Sequence, residues 1–236
     1  MGKDVIVACD FSGRKETLEF LGELEGLNPF IKIGMELFYR EGPQMVRELK
    51  EKGYRIFLDL KLHDIPNTVE KAMTALASLN VDMCNVHAAG GRTMMEAALR
   101  GLGSGVGKRP LLIAVTQLTS TSQEQMEREL LIERPMKEVV ASYGRNALKA
   151  GLDGVVCSPL EAPGVHEMCG KGFLTVTPGV RFAGDSKGDQ KRVTDPAGAA
   201  ALGSDYIVVG RSITGASHPR KAYERCIADF TGLKDR

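Results

Sequence analysis

Eight short apolar runs punctuate the chain, at residues 5–9, 30–34, 56–60, 83–87, 111–115, 154–157, 173–177 and 206–210. Most are rich in Val and Ile, and their apolar residues are nearly continuous rather than alternating. A strand wetted on one face alternates polar with apolar residues; a strand covered on both faces does not. Between the runs, apolar residues fall at helical spacing: Leu18, Leu21 and Leu24; Met45, Val46 and Leu49; Val69, Met73, Leu76 and Leu79; Met94, Met95, Ala98 and Leu99. Further helical patterns cover residues 139–148, 197–202 and 223–230. Buried parallel strands separated by helices close into a (β/α)₈ barrel or spread into an open doubly wound sheet. The open sheet's dinucleotide-binding form has Gly-x-Gly-x-x-Gly after its first strand. This chain has Asp10-Phe11-Ser12-Gly13-Arg14 there. No linker or low-complexity segment divides it. The sequence therefore predicts an α/β fold, a single (β/α)₈ TIM barrel over residues 1–236. The polar stretches 119–134 and 179–192 read as long loops, which in compact domains are often functional.

In such a barrel the reactive side chains lie at the C-terminal ends of the strands. Asp10, Lys32, Asp59, Lys61, His87, Thr119, Pro178 and Arg211 all fall at or near those ends. The richest segment is Asp59-Leu60-Lys61-Leu62-His63-Asp64-Ile65-Pro66-Asn67-Thr68. Asp59 and Lys61, two apart on a strand, point to one face. Opposite charges at the inner end of an apolar strand are costly to bury unless they pair or do chemistry. Lys32, on the neighbouring strand, is within reach of Asp59, and Asp64 adds a second carboxylate where the strand ends. An alternating Lys-Asp-Lys-Asp row is nearly neutral, and each lysine favours ionised neighbours. Such a row also suits a purely structural ion-pair network, and Asp64 suits a turn before Pro66, which fits the first turn of a helix.

Loops after strands seven and eight of such barrels often hold phosphate. Gly210-Arg211-Ser212 ends the eighth run, where backbone N–H groups can cradle an anion. Arg181 lies just past the seventh and can add a charge-assisted contact. An ordinary turn with a solvated arginine is the alternative there.

Other classes are disfavoured. The chain is 43% hydrophobic and 26% charged over 236 residues, enough apolar content for a large core and too much for disorder. A formal net charge of +1 gives no broad nucleic-acid footprint. No apolar run is long enough to span a bilayer, and the first residues lack a signal-peptide layout. A soluble cytoplasmic protein is expected, without nucleic-acid or membrane partners. Cys9, Cys84, Cys157, Cys169 and Cys226 contain no Cys-x-x-Cys pair. Cys9, Cys84 and Cys157 sit in apolar runs and read as buried thiols. The four histidines are scattered, so neither a metal nor a redox cofactor is expected.

The segment at 59–68, together with Lys32, Thr177-Pro178-Gly179-Val180-Arg181 and Gly210-Arg211, resembles the orotidine 5′-phosphate decarboxylase family, in the same order along the chain. The Asp-x-Lys-x-x-Asp core is shared with magnesium-dependent relatives, 3-keto-gulonate 6-phosphate decarboxylase and hexulose-phosphate synthase, which carry an acidic ligand at the second-strand end. Lys32 stands at that position here. The resemblance implies cofactor-independent decarboxylation of orotidine 5′-monophosphate in de novo pyrimidine biosynthesis. It implies that Lys61 donates a proton to C6 of the pyrimidine, with Asp59 beside the substrate carboxylate and Lys32 and Asp64 completing the tetrad. Asp10, Lys32 and Thr68 would hold ribose hydroxyls, and Thr119 would contact the base. Arg181, Gln190, Gly210 and Arg211 would hold phosphate, under a closing loop at 179–190. Asp64 and Thr68 would enter from the partner in a homodimer with shared active sites. Two rivals remain at this point: a metal-dependent sugar-phosphate lyase or aldolase on the same barrel, and a catalytically silent phosphate-binding barrel.

Overall fold

A computed structural model describes residues 3–105, 107–182, 184–185 and 193–232. Eight parallel strands close into a barrel in sequence order: β1 (Asp4–Ala8), β2 (Phe30–Gly34), β3 (Arg55–Leu62), β4 (Met83–His87), β5 (Leu111–Val115), β6 (Gly154–Val156), β7 (Leu174–Thr177) and β8 (Tyr206–Val209). β8 pairs back onto β1, with Val5 opposite Ile207 and Val7 opposite Val209. The helices are α1 (Arg14–Glu23), α2 (Met35–Glu51), α3 (Pro66–Ala77), α4 (Gly91–Gly103), α5 (Gln123–Arg128), α6 (Met136–Lys149), α7 (Ala162–Cys169), α8 (Pro196–Ala201), α9 (Arg211–Thr214) and α10 (Pro219–Thr231). Among the described residues, no helix is long and apolar enough to cross a membrane.

Alternation along the strands sorts side chains into two apolar bodies. Ile6, Phe30, Phe57, Met83, Ile113 and Val208 point inward and pack across the barrel axis. Val5, Ile31, Ile56, Cys84, Leu112 and Ile207, their neighbours in sequence, point outward into the layer beneath the helices. Both faces are dry, which is why the runs are continuous in sequence. Cys9, Cys84 and Cys157 are fully buried in the outer layer, and burial pushes the Cys9 and Cys84 thiols up to about 12.

Two helices depart from the sequence expectation. The stretch 119–134 is not all loop: α5 forms inside it, with Ser122 Oγ accepting from Gln125 N–H as an N-cap. α7 follows β6, where no helical pattern was expected. It is only 8 residues long, it carries Pro163 and Gly164, and it buries just Ala162 and Val165, too few for a readable period. α2 bends at Gly42, whose φ of +68° glycine tolerates, and Pro43 restarts the helix beyond it.

The N-terminal end of the barrel is held by one device used three times. Asp82, Asp153 and Asp205 precede β4, β6 and β8. Each donates its backbone N–H to the carbonyl of a residue on the preceding strand, Ile56, Leu112 or Thr175. Each also accepts that same residue's N–H on its carboxylate, at 2.7–2.8 Å. A basic side chain covers every one: Lys50 on Asp82, Arg109 in a two-pronged pair on Asp153, His166 on Asp205. These contacts fix neighbouring strands in register far from the opposite, chemical end.

Candidate active site

The C-terminal mouth of the barrel encloses a cavity of about 380 Å³. Its charged wall is a continuous row contributed by three adjacent strands. Lys32 Nζ donates to Asp10 Oδ1 at 2.7 Å and lies 3.4 Å from Asp59 Oδ2. Lys61 Nζ lies 2.7 Å from Asp59 Oδ1. Each oxygen of Asp59 therefore faces a different ammonium. The side chains of Lys32 and Asp59 are 10% and 11% exposed, whereas Asp10 is 62% exposed, so the row runs from the interior to solvent. Two acids and two lysines cancel in formal charge, which makes the burial tolerable.

Burial alone would raise the Asp59 pKa. Lys32 and Lys61, with a hydrogen bond from Asn85, outweigh it and hold the carboxyl below the usual range. Burial alone would lower Lys32; Asp59 and Asp10 outweigh that and leave it above its ordinary value. Asp59 and Lys32 are thus an ionised pair at neutral pH, displaced outward on both sides.

β3 does not deliver Lys61 by regular pleating alone, as the sequence had suggested. Leu58 pairs with Cys84 and Leu62 with Val86, so four steps on β3 match two on β4. Lys61 sits inside this bulge at φ +53°, a left-handed conformation rare for residues other than glycine. Its N–H donates to Asn85 Oδ1 at 2.8 Å, and Asn85 Nδ2 donates to Asp59 Oδ1 at 2.7 Å. Asn85 is 1% exposed. It was missed in the sequence, although a signal existed: it is polar, inside an apolar run, at the inward register between Met83 and His87. Gln117, which lines the cavity beside Thr119, was missed as well. It lies beyond the end of β5, outside the run that would have flagged it.

Thr119 is buried and lines the cavity. Gly210 lines it too, and Arg211 lines an adjoining cavity of about 530 Å³ together with Ser212 and His218. Arg181 lines both and stands between them. His87 closes β4, with its ring centroid 5.7 Å from that of His63. Burial, then His63 and Lys61, hold its imidazole below the ordinary value, against the opposing pull of Asp59.

Asp64 and Thr68 are not brought to this row within one chain. Asp64 is exposed, and its Oδ1 accepts the N–H of Ile65 at 2.6 Å. Thr68 is exposed in the first turn of α3 and lines neither cavity. In the single chain the fourth charged member of the row is Asp10. Gln190 lies outside the described residues, as does much of the expected closing loop. Among the described residues, no group of three or more His, Cys, Asp or Glu side chains is placed to hold a metal ion.

A closed barrel with a buried carboxylate clamped between two lysines, next to an arginine-lined cavity, defines a (β/α)₈ enzyme built for small anionic substrates. The chain belongs to the orotidine 5′-phosphate decarboxylase / HUMPS family, which it matches over residues 3–226. It is 58% identical to orotidine 5′-phosphate decarboxylase of Bacillus cytotoxicus and 56% identical to that of Bacillus cereus, each over 99% of both chains. Among solved structures, orotidine 5′-phosphate decarboxylase of Lactobacillus acidophilus superposes with a TM-score of 0.88 at 43% identity, covering 97% of this chain and 99% of that one. A conserved protein of Geobacillus kaustophilus superposes with a TM-score of 0.86 at 50% identity, covering 96% of this chain and 99% of that one.

Proposed function

We propose that this chain decarboxylates orotidine 5′-monophosphate to uridine 5′-monophosphate and CO₂, a step of de novo pyrimidine biosynthesis, with its own side chains as the only catalysts. The observation that carries this reading is Asp59, ionised and buried with one lysine on each oxygen. When the bond from C6 to the carboxylate breaks, its electron pair stays on C6. Lys61 supplies the proton to that carbon, and its fixed ammonium stabilises the charge as it develops. Asp59 next to the substrate carboxylate is repulsive in the ground state, and the repulsion falls as CO₂ leaves. Lys32 keeps Asp59 ionised and, with Asp10, binds ribose hydroxyls. Thr119 contacts the base. Arg181, Gly210 and Arg211 bind the phosphate, joined by Gln190. Binding energy from the phosphate, remote from the bond broken, can be used to close and assemble the site.

Asp64 and Thr68 complete the site of a partner subunit in a homodimer. What supports this is their outward placement beside Ile65, a large apolar side chain left 66% exposed. A metal-dependent lyase on the same barrel is disfavoured by Lys32, which stands at the second-strand position where those relatives carry an acidic ligand.

Purified protein mixed with orotidine 5′-monophosphate in excess chelator should give a full, steady change in pyrimidine absorbance. No turnover in chelator, restored by magnesium, would move the chain to the metal-dependent branch. Nucleotide binding without any turnover would make it a silent binding barrel.

A further inference from the structure

Asn85 joins the two residues on which the proposed chemistry depends, and it does so through both ends of one amide. Its Oδ1 accepts the backbone N–H of Lys61, while its Nδ2 donates to the Asp59 carboxylate. The two partners fix the amide's orientation. Flipped, it would set an N–H₂ against the Lys61 N–H and a carbonyl oxygen against the Asp59 carboxylate. We infer that Asn85 is the positioning residue of the charged row: it locks the β3 bulge from β4 and aims the Lys61 ammonium by way of the Lys61 backbone and the Asp59 carboxylate.

Three observations carry this. First, the bulge is where β3 and β4 lose regular register, so the ladder cannot fix the backbone of Lys61 there. Second, Lys61 holds a left-handed conformation that is strained for a non-glycine residue and persists only where surroundings over-determine it. Third, Asn85 is buried, so its amide is shielded from the water that would compete for its hydrogen bonds. The residue type also fits. An ionised carboxylate offers only acceptors, and a lysine or arginine offers only donors. A neutral amide supplies one of each at this length and leaves the two-plus, two-minus balance of the row undisturbed. Asp59 Oδ1 is then shared between Asn85 and Lys61, while Oδ2 is left to Lys32, which sets the plane of the carboxylate.

The inference rests on the decarboxylase reading for its activity readout, and the test separates the two. Wild-type turnover of orotidine 5′-monophosphate establishes the reading independently. Given that turnover, Asn85→Ala should lower kcat by about 10²-fold, the loss that a misplacement of about 1 Å produces. Binding of uridine 5′-monophosphate should stay unchanged, because the phosphate contacts lie elsewhere. Asn85→Asp, nearly isosteric, keeps the acceptor for Lys61 N–H but sets a second carboxylate against Asp59. Its kcat should fall at least as far. A residue that merely filled space would give the opposite order, with Asp tolerated better than Ala.

A folded Asn85→Ala protein with wild-type kcat overturns the inference. So does a loss confined to thermal stability or to KM. A measurement on the wild-type protein guards against variants that do not fold: in amide hydrogen exchange, Lys61 should be among the protected amides of β3. Exchange as fast as an exposed loop amide would overturn the inference whatever the variants do. If the wild type lacks turnover, the decarboxylase reading fails, and this exchange result still judges the lock on the bulge.

Discussion

At the scale of single residues, the site works by making one carboxylate serve two ammoniums. Asp59 keeps Lys32 charged in a place where burial opposes charge, and Lys32 and Lys61 together keep Asp59 ionised. Lys61→Ala should therefore abolish turnover, by about 10³-fold or more, while circular dichroism remains that of the wild type. A well-folded variant with near wild-type kcat would remove Lys61 from the proton-donor role. Arg181→Ala should weaken nucleotide binding by about 1.5–3 kcal/mol, the value of a charge-assisted hydrogen bond. The effect should largely vanish for orotidine without its phosphate, and equal losses for both ligands would show that Arg181 does not touch the phosphate. His87 makes a pH prediction. Its imidazole is held below the ordinary value, so the unfolded chain takes up the proton first. The stability it contributes is complete above about pH 6.5 and is lost as pH falls towards the folded value. Urea midpoints should drop between pH 7 and pH 5 more for the wild type than for His87→Gln, and parallel curves would contradict this.

At the scale of elements, each strand has a stabilising end and a chemical end. The paired device at Asp82, Asp153 and Asp205 belongs to the first. Asp153→Ala leaves the guanidinium of Arg109 without its two-pronged partner and takes the acceptor from the buried Leu112 N–H. It should cost about 1–3 kcal/mol in denaturant unfolding with kcat unchanged. A fall in kcat with stability intact would mean that the two ends are coupled. Elements also show what could be read in advance. The eight strands were legible because burial on both faces writes a continuous apolar run, a strong local signal. The charged row was legible because Lys32, Asp59 and Lys61 break those runs at one end. The bulge was not: Leu60, Lys61 and Leu62 read as ordinary strand, and the register shift is set by pairing with β4, a non-local term. For the same reason Asn85 went unread, since its meaning depends on which β3 residues face it. α7 went unread because its buried positions are too few to set a period.

At the scale of the whole molecule, the single chain leaves its site one residue short of the expected tetrad. Asp10, Lys32, Asp59 and Lys61 form a row in one chain, but Asp64 turns outward at the end of β3. A sequence can show Asp64 and Thr68 at a strand-to-helix turn; it cannot show which chain's cavity they enter, because that depends on a second copy. The proposed shared-site homodimer is testable by mixing two inactive proteins. Lys61→Ala lacks the proton donor, and Asp64→Ala lacks the group lent to its partner. In a heterodimer one site receives both lesions, and the other receives an intact Lys61 and an intact Asp64. Random exchange of equal amounts makes about half of the dimers heterodimers, each with one intact site of two. About a quarter of wild-type activity should therefore return, rising as exchange proceeds and absent from either protein alone. If exchange is verified by mass and no activity returns, Asp64 acts within its own chain. The turn at 62–66 would then have to refold on substrate binding to bring it inward.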